Sequence, residues 1–360
     1  MHHQSIVRGG LQRLATSQSR SYRRHIATEA DLVQAKNYCP ERPPGISHPA
    51  IRPRPVQDVY DVIRTLNLEL VRLPESVSNP IIGQMRTQFW RDSIDKTFAG
   101  TPPREPICLL LRKALDDLEA RAGPSAQKSL KFWISRLIKT RERHMTNRPY
   151  PSMAALEEYA ESTYSTLMYA TLAALPMRSM HVDHLASHIG KACGITAILR
   201  GIPILLAPPP PPPPRPALTP QPRSRDPPPP RCPRRARRER GVHISPRPRG
   251  PGFRDAVFTV ATRANDHLIT AREMLKNLQA GQHAGHDYEH EGELEEHIYD
   301  DGGEDDVARD VRRAFGVLLE AVPAQDYLSE LEKRDFDPFA VRPGWKLPWR
   351  IWRALKKQAL

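Results

Sequence analysis

The sequence predicts an all-α protein built as one helical domain. Apolar residues recur at three- and four-residue spacing through most of the chain, which is the period of helices that bury one face. The alternation of apolar and polar residues that marks half-buried strands is almost absent. One stretch rich in proline and arginine, residues 207–252, interrupts the helical pattern. We therefore expect a single helical domain that a disordered insert divides into two parts.

The first part of the predicted domain covers residues 56–206. Its first helix is expected to end near Pro74 and its fifth before Pro176, because proline removes a backbone donor and cannot continue a helix. The sixth helix is expected to end at about Arg200. The spacing of apolar residues predicts six helices, at 59–74, 82–98, 106–122, 125–140, 152–175 and 182–199.

The second part covers residues 253–340. It opens with a predicted helix at 253–278 and contains a last core helix at 307–322. Between these helices, residues 286–306 are rich in glutamate and aspartate, which is typical of a solvated loop. A tail rich in tryptophan and basic residues, 341–360, ends the sequence.

The insert at residues 207–252 has an extreme composition. It holds 18 of the 38 prolines, and the stretch from Pro208 to Arg254 carries 12 arginines and no lysine. Proline fixes φ and interrupts both helices and sheets, so the segment is predicted to be extended and disordered. Two origins stay open: a genuine linker, or a mis-joined exon or shifted reading frame, since GC-rich codons read out of register give proline, arginine and alanine.

The formal net charge of +13 comes from two segments. Residues 208–254 carry an excess of +10, and the first 24 residues carry five arginines and no acid, so the rest of the chain is about neutral. A folded face that binds nucleic acid needs its cations clustered on structured elements. Nucleic acid is therefore not an expected partner.

Residues 1–35 have the composition of a mitochondrial transit peptide. Five arginines, from Arg8 to Arg24, occur among serines, threonines and a few apolar residues, with no acid before Glu29. The alternative is a basic tail without a targeting role. The most apolar window, residues 189–207, contains two basic residues and a proline, so any membrane contact is expected to be peripheral.

Cysteines and histidines do not predict a metal centre. The four cysteines lie far apart and form no CxxC pair, so we interpret them as small buried thiols in a reducing compartment. His181, His184 and His188 share one helix face, but the chain lacks the glutamate of an HExxH motif there. They are interpreted as surface or helix-start residues, and neither a metal nor a cofactor is expected.

The tail carries Trp345, Trp349 and Trp352 in the stretch WKLPWRIWRALKK. Indole rings that lie at headgroup depth, together with cations that meet anionic lipid, are typical of a membrane-surface anchor. The other interpretation is that these tryptophans close the hydrophobic core. The sequence leaves both open.

Three stretches, taken in order, resemble the squalene/phytoene synthase family. They are RTLNLELVRLPESVSNPIIGQMRTQFWRDSID (64–95), YAESTYSTLMYATLAAL (159–175) and HIGKACGITAILRG (188–201). Within that family they are more similar to the branch of mitochondrial complex I assembly factor 6 proteins. The likeness covers residues 56–206 and returns in the second part of the chain. It implies an isoprenoid-synthase-like helical fold.

The enzymes of this family, as the resemblance implies, join two prenyl diphosphates in a helical cavity. They hold the diphosphates through Mg²⁺ on two aspartate motifs, since Mg²⁺ prefers carboxylate oxygens. In the second motif this chain has Gly194 where glutamine is expected and Ala197 where asparagine is expected. Gly201 and Leu205 stand in place of the two aspartates, so both metal-ligand positions are lost.

The first motif is also incomplete. In the matching window around Asn67 the one carboxylate is that of Glu69, and Glu75 lies six residues further on, off its helix face. No register places two carboxylates at i and i+4, the spacing that brings them to one face. The sequence therefore predicts a pseudoenzyme without catalytic residues. The alternative is an active or residual prenyl diphosphate transferase with altered ligands.

Eight polar residues persist in the matching stretches. One interpretation is a vestigial pocket whose arginines bind an anionic lipid or prenyl diphosphate without turnover. The other is a set of buried polar bridges between helices, with Glu161 paired to an arginine. The eight residues are Arg64, Glu69, Arg86, Arg91, Tyr159, Glu161, Tyr164 and Arg200.

The resemblance implies a non-catalytic assembly factor for respiratory complex I. Such a protein would be imported into the mitochondrion and would lie at the matrix side of the inner membrane, with peripheral membrane contact. Its partner would be a complex I subunit or assembly intermediate, bound by the helical surface or the vestigial cavity. A lipid-binding module without an assembly role is the remaining alternative.

Overall fold

The computed structural model confirms the all-α class. Its described residues form helices joined by turns and bends, with no strand among them. The expected transit peptide at 1–35 and the insert at 207–251 lie outside the described residues, as does the acidic loop between residues 286 and 303. The described residues are 54–77, 79–146, 148–177, 179–206, 252–285, 304–342 and 344–360.

Eleven α-helices and one π-helical turn make up the described part of the chain. The π-helical turn, Glu161–Ser165, joins α5 to α6 in one continuous helical segment. The α-helices are α1 Arg54–Ser76, α2 Pro80–Phe98, α3 Pro106–Ala122, α4 Pro124–Arg143, α5 Met153–Ala160, α6 Thr166–Leu172, α7 Met180–Leu205, α8 Phe253–Gln279, α9 Glu304–Leu318, α10 Ala321–Lys333 and α11 Leu347–Lys357.

Local sequence sets where several helices begin. α2, α3 and α4 start at Pro80, Pro106 and Pro124, because proline in the first turn has a suitable φ and its missing N–H would have no intrahelical partner. The side chains of Asn79 and Glu105 cap α2 and α3 by accepting a hydrogen bond from a backbone N–H of the first turn. These local features favour helix starts at the three positions.

α7 is the central helix of the domain. Its buried residues occur on all of its sides, as expected for a helix that other helices enclose. It packs against α5, the π-helical turn, α8, α9 and α10. A Cβ at Gly190 would lie 2.4 Å from the Cα of Ser165, and one at Gly194 would lie 2.5 Å from the Cβ of Ala160. Glycine at these two positions therefore permits the close approach of α7 to the α5–α6 segment.

The two parts of the chain share one hydrophobic core. Side chains from α1, α3, α4, α7, α8 and α9 belong to a continuous cluster of buried residues. α8 lies along α7, and α9 packs against α6, α7 and α8. The second part therefore completes the core that the first part begins.

Two helices run past the positions where they were expected to end. α1 continues through Pro74 to Ser76, and α7 continues through Pro203 to Leu205, beyond the expected end at Arg200. Both prolines lie in the last turn of their helix, and each helix ends two residues after its proline. The end predicted near Pro74 is therefore confirmed to within two residues, whereas the end predicted at Arg200 was wrong, because α7 continues to the point where Pro203 limits further extension.

The core helix predicted at 307–322 is present as α9, but its predicted end is wrong, because α9 stops at Leu318 and a second helix follows. α9 begins at Glu304, inside the expected acidic loop 286–306, and α10 begins after a short break. Pro323 lies in the first turn of α10, where it is tolerated, whereas within one continuous helix its ring would clash with the carbonyl of Leu319. The break places Glu320 between the two helices.

The basic tail forms α11, which lies on α10. Ile351 is 1% exposed and attaches α11 to the core, whereas Trp345, Trp349 and Trp352 are 85%, 57% and 54% exposed. The interpretation that these tryptophans close the core is therefore wrong. Among the helices of the described residues, none has the length and apolar character needed to cross a membrane.

Candidate functional site

The inward face of α1 carries three polar residues, Tyr60, Arg64 and Asn67, at helical spacing. The Arg64 guanidinium forms an ion pair with Glu320, and the Tyr60 hydroxyl donates to the same carboxylate oxygen at 3.1 Å. Burial alone lowers the pKa of Arg64, but Glu320 and Tyr60 outweigh burial and raise that pKa above its ordinary value. This contact links the first described helix to the break between α9 and α10.

Cys193 joins α7 to the same site. Its Sγ donates to the backbone oxygen of Glu320 at 3.2 Å. Burial raises the pKa of the Cys193 thiol to about 12, and it does the same for Cys108 in α3. Burial therefore favours the protonated form of both thiols at neutral pH, which fits the expected packing role.

Arg141, near the end of α4, forms the second half of this interior network. Its Nη2 and Nε donate to Asn67 Oδ1 at 2.8 and 3.1 Å, and its Nη1 donates to the Tyr159 hydroxyl. Burial raises the pKa of Tyr164, while Arg141 and Arg64 act to lower it, so Tyr164 lies close to both cations. Arg64 thus faces a carboxylate, and Arg141 faces neutral oxygens.

The sequence pattern did not single out Arg141, although a signal for it exists. Arg141 continues the apolar stripe of α4 four residues after the buried Leu137. A charge on such a stripe needs a polar partner in the interior. Asn67, which the sequence marks only as a motif position, supplies that partner.

Glu69 lies outside this network. It is two residues beyond Asn67 and therefore about 200° further round α1. Its carboxylate contributes to the raised pKa of Glu105 at the start of α3, for which burial is the main cause. The one acidic residue of the first motif window is thus on the α3 side of α1.

The positions that would carry the second pair of metal ligands are in the last turns of α7. A Cβ at Gly201 would meet no atom within 4 Å, and the Leu205 side chain is 78% exposed. Larger side chains would fit at both positions, so no steric requirement excludes aspartate there. Across the described ranges, His, Cys, Asp and Glu side chains form no group of three suited to hold a metal ion.

Three of the expected pocket arginines lie apart from the interior network. Arg86 donates to a serine hydroxyl at the end of α1, and Arg91 forms an ion pair with Glu142 of α4. Arg200 is exposed, and its guanidinium carbon lies 5.4 Å from the centre of the Tyr327 ring in α10. Of the eight expected residues, the structure therefore brings Arg64, Tyr159 and Tyr164 together.

Glu161 forms a separate buried bridge. It begins the π-helical turn and is 6% exposed. Its carboxylate accepts hydrogen bonds from the Tyr169 hydroxyl at 2.6 Å and from Ser187 Oγ at 2.8 Å, and Lys191 Nζ lies 3.9 Å away. These contacts join the α5–α6 segment to α7 as a buried polar bridge, in which the charged partner is Lys191 and not the expected arginine.

A second cluster of titratable groups lies where α5, α7 and α8 meet. His188 Nδ1 is 3.1 Å from His267 Nδ1, and His267 Nε2 is 3.0 Å from Glu157 Oε1. Burial raises the pKa of Glu157, but His267 and Arg263 outweigh it and lower that pKa to about 2. His184 is 5% exposed, so its interpretation as a surface residue was wrong, although it lies near the start of α7. Its burial depends on packing that the local sequence does not specify.

Comparison with known proteins agrees with the helical arrangement. The family model for squalene/phytoene synthase matches residues 50–207, which run from the start of α1 through α7.

Curated relatives extend the likeness into the second part of the chain. The rat protein "NADH dehydrogenase (ubiquinone) complex I, assembly factor 6" is 30% identical over 290 residues, which cover 80% of this chain and 69% of that protein. The mouse protein of the same name is 29% identical over 290 residues, with the same coverage. The homolog from Drosophila melanogaster is 34% identical over 226 residues, 62% of this chain and 61% of that protein. The chain therefore belongs to the squalene/phytoene synthase family, within its complex I assembly factor 6 branch.

Proposed function

We propose that this chain is a non-catalytic mitochondrial assembly factor for respiratory complex I. It acts at the matrix side of the inner membrane, where it binds a complex I subunit, an assembly intermediate or a lipid. The names of its relatives support the assembly role. The pseudoenzyme character is supported by one observation: α1 carries Asn67, and α7 carries Gly201 and Leu205, at motif positions where paired carboxylates would be needed.

The magnesium cluster that the fold family implies does not fit these residues. Asn67 is engaged by the Arg141 guanidinium, and Arg64 lies on the same face of α1. The Arg141 guanidinium repels a divalent cation, and Glu69 is on the other side of the helix. Arg64 is already paired with Glu320, whereas Arg141 contacts neutral oxygens, so Arg141 is the residue that supports lipid or diphosphate binding without turnover.

A client surface is supported by α2. Its exposed apolar side chains include Ile81, Met85 and Phe89, at 63%, 67% and 50% exposure, spaced four residues apart along one side of the helix. A row of this kind is typical of a protein interaction site. We propose that the complex I client binds along this row.

The assembly role is tested by deleting the gene in the source organism and resolving respiratory complexes on native gels. We expect complex I to be reduced while other respiratory complexes remain, and the full-length chain to restore it. Normal complex I in the deletion strain would contradict the proposal and favour a lipid-binding module.

The absence of turnover is tested with the purified chain, prenyl diphosphates and Mg²⁺. We expect no release of diphosphate. Release that Glu69→Ala abolishes would overturn the pseudoenzyme proposal and favour a prenyl diphosphate transferase with altered ligands.

The location is tested by fusing residues 1–35 to a reporter. We expect import into the mitochondrial matrix, driven by the arginine-rich, acid-free composition of this segment. A reporter that stays in the cytosol would contradict the targeting proposal without affecting the other two tests.

A further inference from the structure

α10 and α11 enclose an open groove with a volume of about 620 Å³. One side is lined by Lys346, Arg350, Arg353 and Lys357, which follow one another at spacings of four, three and four residues and so share one side of α11. The α10 residues that line the groove are uncharged. Arg350 is paired with Asp326, whereas the stretch from Trp345 to Lys357 contains no acidic residue. The groove is therefore strongly cationic.

A row of exposed tryptophans runs beside this cationic stripe. Trp345, Trp349 and Trp352 precede Lys346, Arg350 and Arg353 by one residue each, so the two rows are adjacent on α11. The Arg353 guanidinium carbon is 5.5 Å from the Trp349 ring centre, and Lys346 Nζ is 5.5 Å from that of Trp345. Three large aromatic surfaces thus face solvent next to cations.

We propose that this groove binds the phosphate groups of anionic phospholipids, with the three tryptophans inserted at headgroup depth. Anionic headgroups complement the cations, and the membrane interface favours indole rings, which have an apolar body and a polar N–H. The buried Ile351 holds α11 on α10 in the orientation that presents both rows outward. The site is thus a preformed surface of the folded domain.

A lipid surface fits the two rows better than an acidic protein does. An acidic protein would pair with the cations, but it would also need apolar sites for three indoles spread over about 10 Å of helix. A bilayer interface accepts indoles at any lateral position. The inference rests on the proposed function for the choice of a membrane as the binding partner, and it assigns that contact to α10 and α11.

Loss of the cations should weaken binding strongly. A basic residue close to an anionic surface contributes about fivefold to membrane affinity, so replacing three of them should reduce affinity about 100-fold. Because the interaction is electrostatic, it should also weaken as salt is raised.

The test uses the full chain and two kinds of vesicle, phosphatidylcholine alone and phosphatidylcholine with about a quarter phosphatidylglycerol. Tryptophan fluorescence reports on the tail, because Trp90 and Trp133 are buried at 7% and 3% exposure while the other three tryptophans are exposed. Brominated lipid chains then measure insertion by quenching. This readout separates the tail from the arginine-rich segments, which contain no tryptophan.

The test variant is Lys346→Gln with Arg353→Gln and Lys357→Gln. The control is Lys96→Gln with Lys128→Gln and Lys139→Gln, which removes the same charge from exposed positions on α2 and α4. Unfolding temperatures establish that both variants are folded. Inorganic phosphate and soluble polyglutamate are added separately as competing probes.

We expect quenching and a blue shift with the anionic vesicles, retained by the control and lost by the test variant. Vesicle binding without any change in tail fluorescence would overturn the inference. An equal loss of the fluorescence response in the test variant and the control would also overturn it. A response to polyglutamate but not to vesicles would identify a protein site and also overturn it. The complex I phenotype of the deletion strain is independent of all these results, so failure of this site differs from failure of the proposed function.

Discussion

At the scale of single residues, the contrast between Gly190 and Gly201 tests the packing of α7. Gly190→Ala should lower the free energy of unfolding by about 1–3 kcal/mol, because the new methyl group would overlap the backbone of Ser165. Gly201→Ala should leave stability unchanged or raise it by up to about 1 kcal/mol, because the position is open and alanine favours helix. Denaturant unfolding measures both changes.

Equal effects at the two glycines would contradict the close contact between α7 and the π-helical turn. Retained core packing can be followed by near-ultraviolet circular dichroism, because the ring centre of the buried Trp133 lies 4.7 Å from that of Tyr169 in the core. A lower free energy of unfolding for Gly190→Ala but not for Gly201→Ala would show that tertiary packing requires glycine at position 190.

Glu157 should make stability sensitive to acid. Its pKa is lowered from 4.5 to about 2 in the folded protein, so its contribution is fully present above pH 4.5 and is lost as the pH falls toward 2. Glu157→Gln should remove this contribution and flatten the pH dependence of the free energy of unfolding in that range.

The matched control for Glu157→Gln is Glu158→Gln, whose side chain is 72% exposed in the native protein. Urea unfolding at pH 5 and at pH 3 gives the change in the free energy of unfolding between the two. We expect this change to be the same in the control as in the wild type, within about 0.5 kcal/mol. Parallel curves for Glu157→Gln and wild type would contradict the contact between Glu157 and His267.

The sequence could predict the absent ligands but not the interior contacts. Gly201 and Leu205 could be read directly from their motif positions, because a missing carboxylate needs no structure to recognise. Whether Asn67 or Glu69 faces the interior depends on how α1 is rotated in the bundle. Arg141 and His184 are likewise defined by helices distant in sequence, which local patterns do not specify.

At the scale of elements, helical periodicity predicted most helices and misjudged several ends. Apolar spacing located α2, α3, α4 and α8 within a few residues of their observed bounds. Pro74 located the end of α1 to within two residues, whereas Pro323 was not used, although it explains the break before α10. Proline is tolerated in the first turn of a helix and disfavoured in its interior, so Pro323 marks a helix start.

The apolar row of α2 provides a test at this scale. Met85→Lys should leave folding intact, because the side chain is 67% exposed, and it should lower complex I in a complemented deletion strain if the row binds the client. Ile269→Lys, at a 41% exposed apolar position on α8, is the control and should support normal complex I. A normal amount of complex I in the strain that expresses Met85→Lys would contradict the binding of the client along this row.

At the scale of the whole molecule, the second part of the chain completes both the core and the interior network. Glu320, beyond the insert, pairs with Arg64 in the first described helix, and α8 covers α7. Arg64 and Glu320 are 256 positions apart in the sequence, so composition and spacing could not predict their contact. The family resemblance could predict that the second part packs on the first, because members of one family share the arrangement of their helices.

We propose that the chain supports complex I assembly without catalysis. The most direct test is the amount of complex I on native gels when the deletion strain expresses either the wild-type chain or Glu69→Ala, which removes the one carboxylate of the first motif window. We predict that complex I is lost on deletion and that both chains restore it equally. Normal complex I in the deletion strain, or restoration by the wild-type chain but not by a stably folded Glu69→Ala, would contradict the claim.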